Sequence, residues 1–232
     1  MPLHATGPLH AKGLVLAVAT VLLAACGGVK VAPMPEFPRA LIQKLPLNAG
    51  VVVAQDMVDF KHLETRGGVP WEITLGPGHK KFAGDTLGAA FANVQIFKSL
   101  DEAKTAKDLA VVFEPRIEQF SFATARDTGS NYYATTIQYR IHVYNAAGER
   151  IDSFSLTGYG NSLVGGAMSS SSEPLAAATR GAMRDAAAKF MVQFPEQKIA
   201  QQLLKGEPLL ALAGAAKALD ALTVIEAVPI RD

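Results

Sequence analysis

Tyr133-Ala134-Thr135-Thr136-Ile137-Gln138-Tyr139-Arg140-Ile141-His142-Val143 alternates without a break. The odd positions are mostly apolar, β-branched or aromatic, and the even positions are mostly polar. A period of two places successive side chains on opposite faces of a strand, so one face meets a core and the other meets water. Flanking stretches extend the pattern into a meander of three antiparallel strands over Leu109–Gly160, with Leu109–Ala125 before it and Glu149–Tyr159 after it. The links are Arg126–Asn131, which contains Gly129, and Asn145-Ala146-Ala147-Gly148, whose glycine accepts the positive φ of a hairpin end. In the first of the three strands the alternation slips. Val111, Phe113 and Ile117 share one parity and Phe120 and Phe122 the other, so a β-bulge near Glu118-Gln119 is expected to restore the core facing.

The 232 residues carry a formal charge of +1 and are 49% hydrophobic. That suits one globular body with a sizeable core and extra segments at its ends. Charge near zero with no long basic run argues against a nucleic-acid surface. Cys26 is the single cysteine, so neither an intrachain disulfide nor a thiolate metal site can form. The five histidines do not cluster: His4 and His10 precede Cys26, His62 and His79 are read as lying in separate loops, and His142 falls on the polar face of the middle strand. No metal or cofactor site is indicated.

Ahead of Cys26 lies a weakly basic start with Lys12, then Leu14–Ala25, apolar apart from Thr20. A dozen apolar residues is short of the roughly 20 that a spanning helix needs, and it is the length of a signal-peptide core. The run ends Leu23-Ala24-Ala25-Cys26-Gly27, which resembles the lipobox of bacterial lipoproteins. The resemblance implies cleavage after residue 25, acylation of the Cys26 thiol and of the new amino terminus, and, with Gly27 in place of Asp, export to the outer membrane. Acyl chains contribute about 0.8 kcal/mol per buried CH₂, so two or three of them anchor a protein almost permanently.

Residues 26–48, with Pro33, Pro35, Pro38 and Pro46, read as a proline-rich tether holding the body off the bilayer, with one helical turn at Arg39–Lys44. The periplasmic body is expected over 49–204. It opens with a strand at Ala49–Val53. A turn follows at Arg66-Gly67-Gly68, then a strand at Trp71–Leu75 whose tryptophan belongs to the core or a sheet edge. Pro77 opens a helix with Phe82, Ala83, Leu87, Ala90 and Phe91 on one face, ended by Asn93. Val94–Lys98 is a strand and Asp101–Lys107 a charged turn. Beyond the meander, Gly160–Ser172 reads as a mobile connection. Pro174 starts the longest helix, whose alanine-rich stripe lets it lie close on a sheet. Pro195 ends it and starts a second helix to Leu204, closed by Lys205-Gly206. The tail, 205–232, opens a third helix at Glu207-Pro208 and is rich in Ala and Leu over Leu209–Leu222, suited to packing on the body or on a partner. The fold class is therefore α+β, an antiparallel meander sheet with helices packed on one face.

A lipobox, a proline-rich lead and a strand–helix–strand–meander–helix body resemble a group of small proteobacterial outer-membrane lipoproteins. The group includes the lipopolysaccharide-assembly lipoprotein and the auxiliary lipoproteins of lipid-transport ABC systems. The local match is Leu87, Phe91 and Val94, then Tyr139–Tyr144, then Ala176–Phe194. It implies an accessory protein at the periplasmic face of the outer membrane, not an enzyme, binding an envelope protein or lipid partner. The alternatives are an envelope hydrolase built from Glu114, Glu118, Asp152 or His142, and a cell-wall-binding module. Glu114 and Glu118 by themselves share only a solvent face of one strand. No phosphate loop or Gly-x-Ser-x-Gly elbow is present.

Overall fold

The structure, a computed structural model, describes residues 28–37, 44–165, 170–207 and 209. The chain runs β1 (Val29–Val31), β2 (Leu45–Val52), α1 (Gln55–Val58), β3 (Lys61–Arg66), β4 (Val69–Thr74), α2 (Gly76–Ala90), β5 (Phe91–Phe97), α3 (Leu100–Lys104), β6 (Val111–Ala123), α4 (Ala125–Thr128), β7 (Tyr132–Tyr144), β8 (Arg150–Leu163), α5 (Ser172–Gln193) and α6 (Lys198–Lys205). A 3₁₀ turn at Phe194–Glu196 joins the last two helices. The α+β class is as expected, with two sheets. One has five strands in the order β5-β2-β6-β7-β8, the other three in the order β1-β4-β3.

The meander forms β6, β7 and β8, antiparallel throughout. The register of β6 against β7 shifts between Ile117 and Gln119, where the parity slip in the sequence requires a bulge. Beyond it Phe120 and Phe122 return to the buried side beside Ile117 and Phe113. The other half of the sheet is parallel, because β2 lies between β5 and β6 and runs parallel to both. Helices α2 and α5 cover the face that carries Phe113, Ile137, Tyr139 and Ile141. The short α3 seals a corner of the opposite face, where Ala103 closes over Val52, Phe97 and Val112.

The tightest packing is between β8 and α5. A Cβ at Gly158 would stand 2.0 Å from the Ala182 carbonyl oxygen, and one at Gly160 would stand 2.0 Å from that of Ala178. Strand and helix backbones touch because neither carries a side chain between them. Asp185 accepts from the Tyr159 N–H at 2.9 Å and Lys189 donates to the Thr157 carbonyl at 2.7 Å. Helix side chains thus occupy the outer hydrogen-bonding groups of an edge strand, a common protection against edge-to-edge pairing.

Several expectations are corrected. The described part of the segment read as a tether is folded: Val29–Val31 pairs in parallel with Trp71–Ile73, Val31 is buried, and Phe37 packs edge-on to Phe82 at 6.0 Å. Its prolines and sparse apolar pattern concealed a three-residue strand whose partner lies forty residues on. Residues 38–43, where a helical turn was expected, lie outside the described residues. So do the signal segment, Cys26 and all of the tail beyond Glu207 except Leu209. Helix α2 ends at Ala90, and Phe91 already has extended geometry, since that ring faces the core from β5. The Gly67-Gly68 turn joins β3 to β4, both glycines at positive φ. Neither His62 nor His79 sits in a loop. His62 is on β3, its ring 5.0 Å from that of Phe120, and His79 is on α2 with no solvent exposure.

His79 stacks near Tyr139, which in turn stacks on Phe82 at 4.1 Å. Among the described residues, neither ring nitrogen of His79 nor the Tyr139 hydroxyl has a well-formed hydrogen bond. Burial lowers the His79 pKa to about 4, and the Pro115 carbonyl offsets this only in part.

Two predictions follow from this packing. Gly158→Ala and Gly160→Ala are each expected to lower stability in urea unfolding by about 1–3 kcal/mol or more, as overpacking does. Gly88→Ala, in a helix with none of the described residues within 4 Å of the new methyl, is expected to raise it by roughly 0.5–1 kcal/mol. The second concerns pH. His79 is neutral in the fold, whereas the unfolded chain takes up a proton below about 6.5. Its stabilising effect is complete above that pH and falls as the pH drops toward about 4. The loss amounts to something on the order of 3 kcal/mol. The wild-type minus His79→Leu difference in unfolding free energy, followed from pH 7 to pH 4, is expected to show this decline.

Candidate functional site

The polar face of the meander brings some of the candidate catalytic residues together and separates others. Glu114, His142 and Ser153 lie in one row across β6, β7 and β8, each opposite the next. Ser153 Oγ is 3.2 Å from His142 Nδ1. Half-burial lowers the His142 pKa, Arg150, Arg140 and Arg116 add to this, and Glu114 opposes it. A hydroxyl, a neutral imidazole and a carboxylate are the groups of nucleophilic catalysis, but their hydrogen bonds differ from what that chemistry needs. A catalytic base is oriented by a third group bonded to its far nitrogen. Glu114 instead accepts from Arg116 at 2.9 Å and from the Tyr144 hydroxyl at 2.8 Å. Arg116 also pairs with Asp56, and burial together with Glu114 raises the Tyr144 pKa.

Glu118 is held apart from this row by Arg140, at 2.8 Å, and by Gln138. Asp152 is exposed and turns its carboxylate onto the N–H of Ser153 at 2.7 Å. Glu114 and His142 are therefore neighbours, while Glu118 and Asp152 have local duties. Among the described residues no group of three or more His, Asp or Glu side chains is placed to hold a metal ion. Trp71 is a core residue, 5.3 Å from Phe122 and 6.4 Å from Tyr133.

The second arrangement is an apolar cleft of about 240 Å³ on the helix-covered face of the sheet, where β2 and β5 begin. Its floor is Ala90, Phe190 and Phe194, and its rim includes Leu45, Leu204 and Lys44. The two phenylalanines stack at 4.9 Å with nearly parallel rings, and lean on Phe113, Phe91 and Phe154. Leu204 is half exposed beside a buried Leu203. Successive residues of a helix point about 100° apart, so one of this pair packs the core and the other lines the opening.

Among the described residues that line the cleft, Lys44 is the charged one. It donates to the Gly88 carbonyl at 2.7 Å, and an ammonium has two further N–H groups to offer. The sequence showed Phe190 and Phe194 as part of an apolar stripe, and Leu204 as a helix end. Their meeting with Lys44 depends on the turn at Pro195 folding α6 back beside the start of β2.

No protein-family model matches the chain, and no curated protein matches it in sequence. Solved structures do resemble it. A candidate neuraminyllactose-binding hemagglutinin homolog from Helicobacter pylori matches with a TM-score of 0.43 at 14% identity, over 74% of this chain and 97% of that one. A candidate lipoprotein from Caulobacter crescentus CB15 matches with a TM-score of 0.30 at 17% identity, over 50% of this chain and 78% of that one.

Proposed function

We propose that the chain is an accessory lipoprotein, anchored through acylated Cys26 at the periplasmic face of the outer membrane. It binds a lipid or protein partner in envelope assembly or lipid transport and catalyses no reaction. The observation that supports the binding role is the cleft floored by Phe190 and Phe194. A concave apolar site with one placed polar group is the usual form of a small-ligand site. Apolar walls with a lysine at the mouth suit one acyl chain carrying an anionic head: burial of the chain stabilises the complex at about 0.8 kcal/mol per CH₂, and Lys44 meets the charge. The lipobox supports the anchor. No helix among the described residues is long and apolar enough to cross a membrane.

Binding of a fluorescent long-chain fatty acid to the purified protein tests the site. Ala90→Trp, which fills the floor, is expected to weaken binding about tenfold or more, a change of roughly 1.4 kcal/mol per decade. Lys44→Glu is expected to weaken the fatty acid but not the corresponding alcohol. Unchanged binding in Ala90→Trp would show that the ligand sits elsewhere. For the anchor, Cys26→Ser is expected to leave an uncleaved precursor without acyl mass. A variant that fractionates and migrates like wild type would rule the anchor out.

A further inference from the structure

We infer that the three-stranded sheet β1-β4-β3 lies against the bilayer that holds the anchor, with Leu63 and Pro70 toward the lipid headgroups. The inference rests on the proposed acylation of Cys26, and its basis is the length of chain between that residue and the fold. Gly28 is already held by the body: a Cβ there would stand 2.7 Å from the Pro70 carbonyl oxygen and 2.9 Å from the Pro70 ring. Val29 then pairs with Trp71 and Lys30 with Glu72. An extended chain advances at most about 3.3–3.6 Å per residue, so the Cα of residue 26 stands within roughly 7 Å of that of Gly28. Acyl chains on Cys26 must enter the membrane, and no spacer is left to hold the small sheet away from it.

The surface beside Gly28 suits a headgroup layer. Leu63 is 70% exposed, and Pro70 is exposed on the same face. Leu63 stands opposite Glu72 and Thr65 opposite Pro70, so these residues share a face over a shallow groove of about 450 Å³ that begins at Gly28. Lys30 and Lys61 flank it. Glu64 and Glu72 are its carboxylates; Glu64 is paired with Arg66 and Glu72 is bound to Lys61 at 2.9 Å, its pKa lowered by that lysine first and by Lys30 last. Lysine stems lie along apolar surface with the ammonium in the headgroup layer.

The same placement directs the cleft away from the membrane. Trp71 of the small sheet packs on Tyr133 at the start of β7, whereas the cleft lies where β2 begins, the end of the sheet that β7 reaches at Tyr144. A strand of 13 residues spans about 40 Å. The anchored protein therefore offers its cleft to the aqueous side, to a ligand brought by a partner and not to a lipid still in the supporting bilayer.

The test uses the full acylated protein in vesicles of phosphatidylethanolamine and phosphatidylglycerol containing a lipid with a nitroxide on its headgroup. With Cys26 blocked by acylation, a fluorophore is attached through Thr65→Cys or through Ala147→Cys in the turn between β7 and β8. Intact mass reports the acyl chains. The expected result is acyl mass on both proteins, with quenching several-fold stronger at position 65 than at 147. Inserting a long Gly/Ser segment after Gly27 is expected to reduce that difference. Acyl mass with equal quenching, or stronger quenching at 147, overturns the orientation and leaves the lipoprotein reading intact. Absence of acyl mass overturns the anchor, and the orientation with it.

Discussion

The architecture depends on the contact of two backbones, β8 at Gly158 and Gly160 against α5 at Ala178 and Ala182. At any other pair of residues a Cβ would hold helix and strand apart, and α5 would ride higher on the sheet. Because it lies so low, Ala178, Ala182 and Ala186 are fully buried with almost no side chain of their own. Thr179 is buried too. It bonds to the Leu175 carbonyl at 2.8 Å and approaches Thr135 of β7 at 3.3 Å. The seam also sets where α5 ends. Phe190 and Phe194 are delivered one turn apart over Phe113, and the floor of the cleft is the last turn of a helix positioned by its middle.

A second consequence concerns the edge of the sheet. β8 is 14 residues long and, among the described residues, has no strand on its outer side, a length of ladder that invites association with other chains. Asp185 and Lys189, one turn apart and 2.7 Å from each other, reach round from the same helix to bond the backbone at Tyr159 and Thr157. The ammonium of Lys189 also lies 4.8 Å from the centre of the Tyr159 ring. Close approach and edge protection are therefore one device, since side chains as short as aspartate reach the strand only when the helix lies directly on it.

The body has two unlike ends. At one, the small sheet closes over Phe120, Phe122 and Tyr133, with Arg66 above Phe122 at 4.7 Å and bridged to Glu64 and Asp127. The first described residue, Gly28, is fixed there. At the other, α6 turns back to frame the cleft, and Leu209 meets the β7–β8 turn through Asn145. With the proposed anchor at its amino terminus and the cleft at the far end, the protein would receive a ligand without releasing that anchor.

By itself the sequence determined the meander, because alternation is a local property and a strand that buries one face must show period two. It determined the bulge at Ile117–Gln119, since the parity slip has no other remedy, and it placed α5 through Pro174, the alanine stripe and Pro195. The resemblance of Leu23–Cys26 to a lipobox is likewise a local signal. Only the tertiary structure decided that β2 lies between β5 and β6 in parallel, that Val29–Val31 joins a second sheet, and that Glu114 and His142 become neighbours while Glu118 is taken by Arg140. It alone joined Lys44, Ala90, Phe194 and Leu204 into one cleft. Each of these rests on contacts between residues tens to more than a hundred positions apart. No period in the chain records such contacts, because the free energy that selects them comes from surfaces that exist only after the elements have formed.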